Sequence, residues 1–169
     1  MSSGKRAGAG GQEGFAYVLI LLLVAVIGAT LAAYGEAWSR VAQRHKEAEL
    51  LWVGGQFRQA IALYYQRTPG AARQYPENLG DLLEDKRYLS TQRYLRRIYR
   101  DPITGKAQWG LVPAPGGGIM GVYSLSRAHP LRTGGFPPPY ETFATAHRYS
   151  DWTFIYEPPV AQTDAPFRR

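Results

Sequence analysis

Residues Phe15 to Ala33 form one uncharged, mostly apolar run, and no other stretch of the chain stays apolar for as long. Beyond it the pattern becomes periodic. Trp38, Val41, His45, Ala48 and Trp52 recur every three or four residues, and Phe57, Ala60, Ile61 and Tyr64 resume the spacing. This spacing predicts an amphipathic helix continuing from the apolar run to about Gln66. The charged residues Arg40, Arg44, Lys46, Glu47, Glu49 and Arg58 fill the other positions, so they are expected to face water or neighbouring subunits. Gly54-Gly55 interrupts the pattern. Each glycine costs roughly 1 kcal/mol inside a helix, so the pair predicts a kink, a local break or a close packing contact. Thr68-Pro69-Gly70 ends the helix.

Shorter elements follow. Tyr75-Pro76 opens a segment in which Leu79, Leu82 and Leu83 share a helical face. Ser90 is placed to cap a second short helix reaching about Tyr99. Asp101-Pro102-Ile103-Thr104-Gly105 is a turn signal. Three strands are expected, Trp109 to Val112, Ile119 to Leu125 and Trp152 to Tyr156, with Pro113 to Gly118 as a hairpin loop between the first two. Residues 127–150, which include Pro137-Pro138-Pro139, form a long aperiodic connection, and Glu157 to Arg169 reads as a flexible tail. The expected fold class is α+β: a long N-terminal helix packed on a small antiparallel sheet.

The apolar run has membrane length. Phe15 to Tyr34 is a 20-residue segment, and a helix that long spans roughly 30 Å, about one bilayer core. Lys5 and Arg6 precede it, which predicts the leader, residues 1–14, on the cytoplasmic side and the remainder outside. A cleaved secretory signal is the competing reading, with Ala33-Tyr34-Gly35 as its site. Such signals have a shorter apolar core and no helix continuing directly from it. The chain has 169 residues, no Cys and a net charge of +7. That length suits one domain with accessory segments, and the missing thiols exclude disulfides and thiolate metal sites. The charge favours anionic partners such as lipid headgroups, acidic proteins or nucleic acid without choosing among them.

A basic leader, Gly14-Phe15, a membrane-length run and a continuing helix together resemble the N-terminus of the type IV pilin and pseudopilin superfamily. Tyr75-Pro76 with Leu79 and Leu82, then Tyr94-Leu95-Arg96-Arg97, then Asp101-Pro102, is similar to the middle of the major pseudopilin of type II secretion. Gly121-Val122-Tyr123-Ser124 and Tyr149-Ser150-Asp151-Trp152 resemble its C-terminal sheet and last loop. The resemblance implies a pilin-like fold, with residues 35–156 as a periplasmic domain. It also implies a single-pass inner-membrane location and leader cleavage between Gly14 and Phe15 by a prepilin peptidase. Phe15 would then be N-methylated. The implied partners are other pseudopilins, inner-membrane assembly proteins and membrane lipid.

Two positions depart from the family pattern. The fifth mature position, usually Glu, is Leu19 here. That Glu pairs with a neighbour's N-terminal amine during assembly, so Leu19 points to a minor, tip or accessory subunit. Major pseudopilins also hold calcium in an acidic loop near the C-terminus. In that window only Glu141 and Asp151 precede Glu157, too few carboxylates for a calcium site, so no ion is expected. Trp152, Tyr149 and Phe143 are expected to order the loop by packing on the sheet.

The remaining constellations carry no catalytic chemistry. His45, His129 and His147 are scattered, and His45 is expected on the apolar stripe. Ser124, His129 and Asp151 supply triad residue types without a nucleophile-elbow motif. Gly116-Gly117-Gly118 lacks the Lys-Ser/Thr of a phosphate loop. Arg93, Arg96, Arg97 and Arg100, with Lys86 and Arg87 nearby, would step along one face of the second short helix as an anion contact. A solvated basic face is the commoner reading, and nucleic acid is not expected as a partner. No enzyme activity, cofactor or metal is expected. The sequence therefore reads as a pseudopilin-like structural subunit of a type II secretion or type IV pilus-like machine, minor or accessory, supporting protein export. The alternatives are a non-polymerising single-span protein presenting a small periplasmic binding domain, and a pilin-like DNA-uptake protein.

Overall fold

A computed structural model describes residues 12–70 and 72–159, with side chains throughout except in residues 12–14 and 31–37. Most of the expected leader and the tail from residue 160 onward lie outside the described residues. The chain divides into two compact units, Met1–Ala42 and Gln43–Arg169.

The protein is α+β. Helix α1 covers Gln12–Gln66, and the described residues of the first unit belong to it. In the second unit, α1 from Gln43 onward carries the core. Leu50, Val53, Phe57, Ala60, Ile61 and Tyr64 are buried, stepping three or four residues at a time. Strands β1 (Gly110–Pro113), β2 (Ile119–Tyr123) and β3 (Thr153–Ile155) form an antiparallel sheet in the order β1-β2-β3. Each begins or ends within three residues of its expected bounds. Gly110 pairs with Tyr123, and Val122 pairs with Phe154. The hairpin loop closes through Ala114 N to Gly118 O at 2.9 Å, with Gly117 and Gly118 at φ 93° and 81°. That left-handed backbone is what the Gly triplet supplies.

The glycine pair in α1 marks a packing contact, and the helix runs through it unbroken. A Cβ at Gly54 would overlap the ring of Phe154, which is fully buried. At Gly55 such a Cβ would meet, among the described residues beyond its own stretch of helix, the Tyr140 hydroxyl oxygen at 3.6 Å. Residues 127–151 hold two short 3₁₀ turns, Glu141–Thr145 and Tyr149–Asp151. As expected, aromatic packing orders this segment. Phe143 stacks on Trp152 with ring centres 5.5 Å apart, and Tyr149 meets Trp152 edge-on at 5.5 Å.

Three expectations are corrected. The apolar stripe of Trp38, Val41, His45, Ala48 and Trp52 is exposed. Trp52 lies two residues from Leu50, about 200° around a helix, and His45 stands in the same relation to Glu47. The predicted stripe thus joined two opposite faces. Glu47 and Arg58, expected at the surface, are drawn in. Glu47 is buried, and the half-buried Arg58 donates from Nε to Ile155 O at 2.9 Å. The second short helix, Ser90 to Tyr99, does not form. Its backbone instead bonds to the preceding segment. Asp85 bridges Gln92, and Tyr94 N and Leu95 N both donate to Leu82 O at 2.9 Å. These bonds compete directly with helical pairing. The segment from Tyr75 does form one short 3₁₀ helix, Leu79–Leu82, started by an Asn78/Asp81 capping box, with Leu82 fully buried.

Candidate assembly site

From Phe15 to Thr30 every described side chain of α1 is exposed. Phe15 is 72% accessible and Leu19 is 55% accessible, and the large residues between and after them are similar. Three to four residues make a turn, so consecutive exposed Leu, Ile and Val from Val18 to Val24 cover every face of the helix. A helix that is apolar all round requires an apolar surrounding. Thr30 adds no polar demand, because its hydroxyl donates back to Val26 O at 2.9 Å and Ile27 O at 2.8 Å. Among the described residues no helix is long and apolar enough to cross a membrane. The described apolar side chains stop at Thr30, and those of residues 31–34 in the expected span lie outside the described set. Gly14 and Phe15 both lie within α1.

The second unit carries a polar lock that the sequence pattern did not reveal. Glu47 is 2% accessible. Its Oε1 accepts from Leu131 N at 2.6 Å, from Arg132 N at 3.3 Å and from the Tyr149 hydroxyl at 2.8 Å. Gln43 Nε2 donates to the same Tyr149 oxygen at 2.8 Å and to His129 O at 3.3 Å. One turn of α1 therefore pins residues 129–132 and Tyr149. Burial pushes the Tyr149 hydroxyl up to about 12; the Gln43 hydrogen bond opposes that and the Glu47 carboxylate reinforces it. The signal that would have found this lock is phase. Glu47 sits three residues before Leu50, on the buried stripe.

A second lock holds the C-terminal end of α1, whose own last turn carries no basic residue. Arg87 supplies the charge from outside the helix. Its Nη2 donates to Tyr64 O at 3.1 Å, its Nη1 donates to Thr68 Oγ1 at 3.0 Å, and its guanidinium lies 3.5 Å from the Tyr64 ring centre. A cation there satisfies an orphan carbonyl and complements the helix dipole. Asp85, with a fully buried side chain, pairs with Arg87 Nη2 at 2.7 Å and also accepts from Arg87 Nε, Arg87 N and the Tyr94 hydroxyl. Burial drives the Asp85 carboxyl upward, but the Arg87 and Tyr94 hydrogen bonds outweigh it and leave the group below its ordinary value.

The other predicted residues stay apart. Arg93, Arg96, Arg97 and Arg100 are exposed on irregular backbone, so no helical face gathers them, and Arg87 is committed to Asp85. Arg97 lies over the Tyr99 ring at 5.3 Å. Ser124 is buried and donates to Asp101 Oδ2 at 2.7 Å, while His129 and Asp151 are exposed. Glu141 and Glu157 are exposed as well, and Asp151 accepts from Arg148 N at 2.9 Å. Among the described residues no three His, Cys, Asp or Glu side chains are grouped to hold a metal ion. No family model, curated protein or solved structure matches the chain.

Proposed function

We propose that the chain is a pseudopilin-like structural subunit of a type II secretion or type IV pilus-like machine, anchored in the inner membrane and working in the periplasm without catalysis. One observation carries this reading. A single helix, Gln12–Gln66, is apolar on every face in its first third and carries the core of a small α+β unit in its last third. Burying one large apolar side chain is worth roughly 1.5–3 kcal/mol. Eleven such residues between Phe15 and Ile27 are exposed. Even half-credited, they favour an apolar surrounding by at least about 8 kcal/mol. Lipid before assembly and neighbouring helices after it both supply that surrounding. Cleavage before Phe15 would place the mature N-terminus at the start of the apolar segment.

The test is mass spectrometry of the protein recovered from membranes of a host with a prepilin peptidase. The expected mature chain begins at Phe15 and carries one added methyl group, and Gly14→Val blocks cleavage. An intact Met1–Gly14 leader on the membrane-bound wild type would refute the reading.

Leu19 favours a second role within the same class, a tip or accessory subunit. A growing filament without the usual carboxylate would bury an N-terminal amine unpaired at every step, and an unpaired charge in an apolar setting costs about 2.5–3.5 kcal/mol on insertion scales. A subunit added once incurs that cost once. Long filaments of this protein alone, seen by electron microscopy after overproduction with an assembly machine, would overturn the accessory role.

A further inference from the structure

The second unit also holds an open cleft of about 730 Å³, a volume usual for small-ligand sites. Tyr65 and Tyr75 line it together with the hairpin loop, residues 115–118. The Tyr65 ring centre lies 4.6 Å from that of Tyr75 and 5.9 Å from that of Tyr156. The planes of Tyr65 and Tyr75 are tilted by 41°, and the Tyr75 hydroxyl donates to Tyr156 O at 3.2 Å, which ties this aromatic cluster together. Across the loop, nothing among the described residues lies within 4 Å of where a Cβ would sit at Gly116 or Gly117. The loop therefore presents no side chain of its own to the cleft at these two positions.

The charges of the cleft decide the ligand class. Arg73, Lys86 and Arg87 are balanced by Glu77, Asp81 and Asp85. Asp85 and Arg87 neutralise each other, and Asp81 accepts from Glu77 N at 3.0 Å and Asn78 N at 3.1 Å. Arg73, Gln74, Glu77 and Lys86 are exposed. A cleft with no single-sign field does not select an anion or a cation. Aromatic faces beside a rim of mixed donors and acceptors suit a ligand with an apolar face and a polar edge. A pyranose ring has that form, with C–H groups on its faces and hydroxyls around its rim.

We propose that this cleft binds a neutral oligosaccharide, with a sugar face against the tilted Tyr65–Tyr75 pair and hydroxyls on Glu77, Gln74 and Arg73. The proposal is independent of the assembly reading. It is tested on the full chain in a zwitterionic detergent, so that no sugar headgroup competes. The probes are chitotetraose, cellohexaose and maltohexaose, followed by saturation-transfer NMR and titration calorimetry. At least one is expected to bind with Kd of about 1 mM or tighter, and Tyr65→Ala is expected to weaken it about tenfold or more. Tyr65→Phe keeps the ring and should retain most of the affinity. Glu77→Gln, at an exposed position where a substitution changes stability little, should weaken binding about threefold or more, an effect on the scale of one hydrogen bond. The proposal is overturned if none of the three sugars binds at about 10 mM, far above that Kd. Affinity unmoved by Tyr65→Ala and Glu77→Gln overturns it too, as does decaproline binding where the sugars do not.

Discussion

Asp85→Ala removes the carboxylate that holds Arg87 against the end of α1, and its cost follows from the geometry. The side chain is fully buried and accepts four hydrogen bonds, three from Arg87 and one from Tyr94, at 2.7–3.0 Å. Hydrogen bonds to charged groups are each worth about 1.5–3 kcal/mol, but a simple sum overcounts, because freed donors find other partners. Arg87 is 19% accessible and keeps its bonds to Tyr64 O and Thr68 Oγ1. Breaking a buried pair typically costs 3–5 kcal/mol, and this partial hydration places the expected loss at the lower end, about 3 kcal/mol. For a unit of this size that lowers Tm by about 10 °C. Urea unfolding of the full chain, followed by fluorescence of the buried Trp109 and Trp152, measures it. A double-mutant cycle with Arg87→Ala should give a coupling of about 1.5 kcal/mol or more. pH supplies a second arm. The folded Asp85 carboxyl lies below its unfolded value of 3.8, so its stabilisation is complete above about pH 4 and is lost as pH falls through the folded value. Asp85→Asn should therefore lose less stability than wild type on acidification below pH 4. An Asp85→Ala loss under about 1 kcal/mol, or coupling near zero, would refute the clamp.

Glu47→Ala frees the Leu131 and Arg132 amides, so their hydrogen exchange should accelerate at least about tenfold while exchange at the Leu82 amide changes little. Gly54→Ala should destabilise the protein by about 1–2 kcal/mol, because the new methyl displaces the Phe154 ring and outweighs the gain in helix propensity; Gly55→Ala, with only the Tyr140 hydroxyl nearby, should be neutral or stabilising by up to about 1 kcal/mol, and thermal melts compare the two. Tyr94 and Tyr149 are both pushed up to about 12, so the folded state holds their protons more tightly than the unfolded state. Their stabilisation is complete below pH 10 and lost as pH rises towards 12; Tyr94→Phe should flatten that alkaline loss in urea midpoints.

The parts of the fold legible in the sequence rested on local chemistry. The apolar run, the Pro-Gly stop after Thr68, the Gly hairpin and the apolar stretch Ile119 to Tyr123 each determine backbone geometry over a few residues. What stayed hidden rested on partners distant in sequence. Glu47 read as surface because it is charged, and its donors lie more than 80 residues away. The apolar Trp38 to Trp52 series outscored the true buried face, which includes a carboxylate and a glycine. The Ser90 helix failed because Leu82 O captured the amides of Tyr94 and Leu95, a contact with no local signature. Of the candidate site, the exposed apolar helix surface was legible because it needs no tertiary partner to be recognised; the assembly roles of Phe15 and Leu19 on it are proposals. The arginine face was misplaced with its helix.

The polar contacts along α1 also set how the second unit would bear force. Glu47 holds Leu131, Arg58 holds Ile155, Tyr64 is held by Arg87, and Gln66 Nε2 donates to the Tyr156 hydroxyl at 3.0 Å. Glu47 and Gln66 are about 29 Å apart at 1.5 Å rise per residue. A pull along the helix axis therefore strains these rivets together, in shear, with the aromatic core between them. A sideways peel would meet them one at a time. The unit should resist axial tension delivered through α1 far better than the same load applied at β1, which single-molecule pulling from the two attachment points would display as distinct rupture forces.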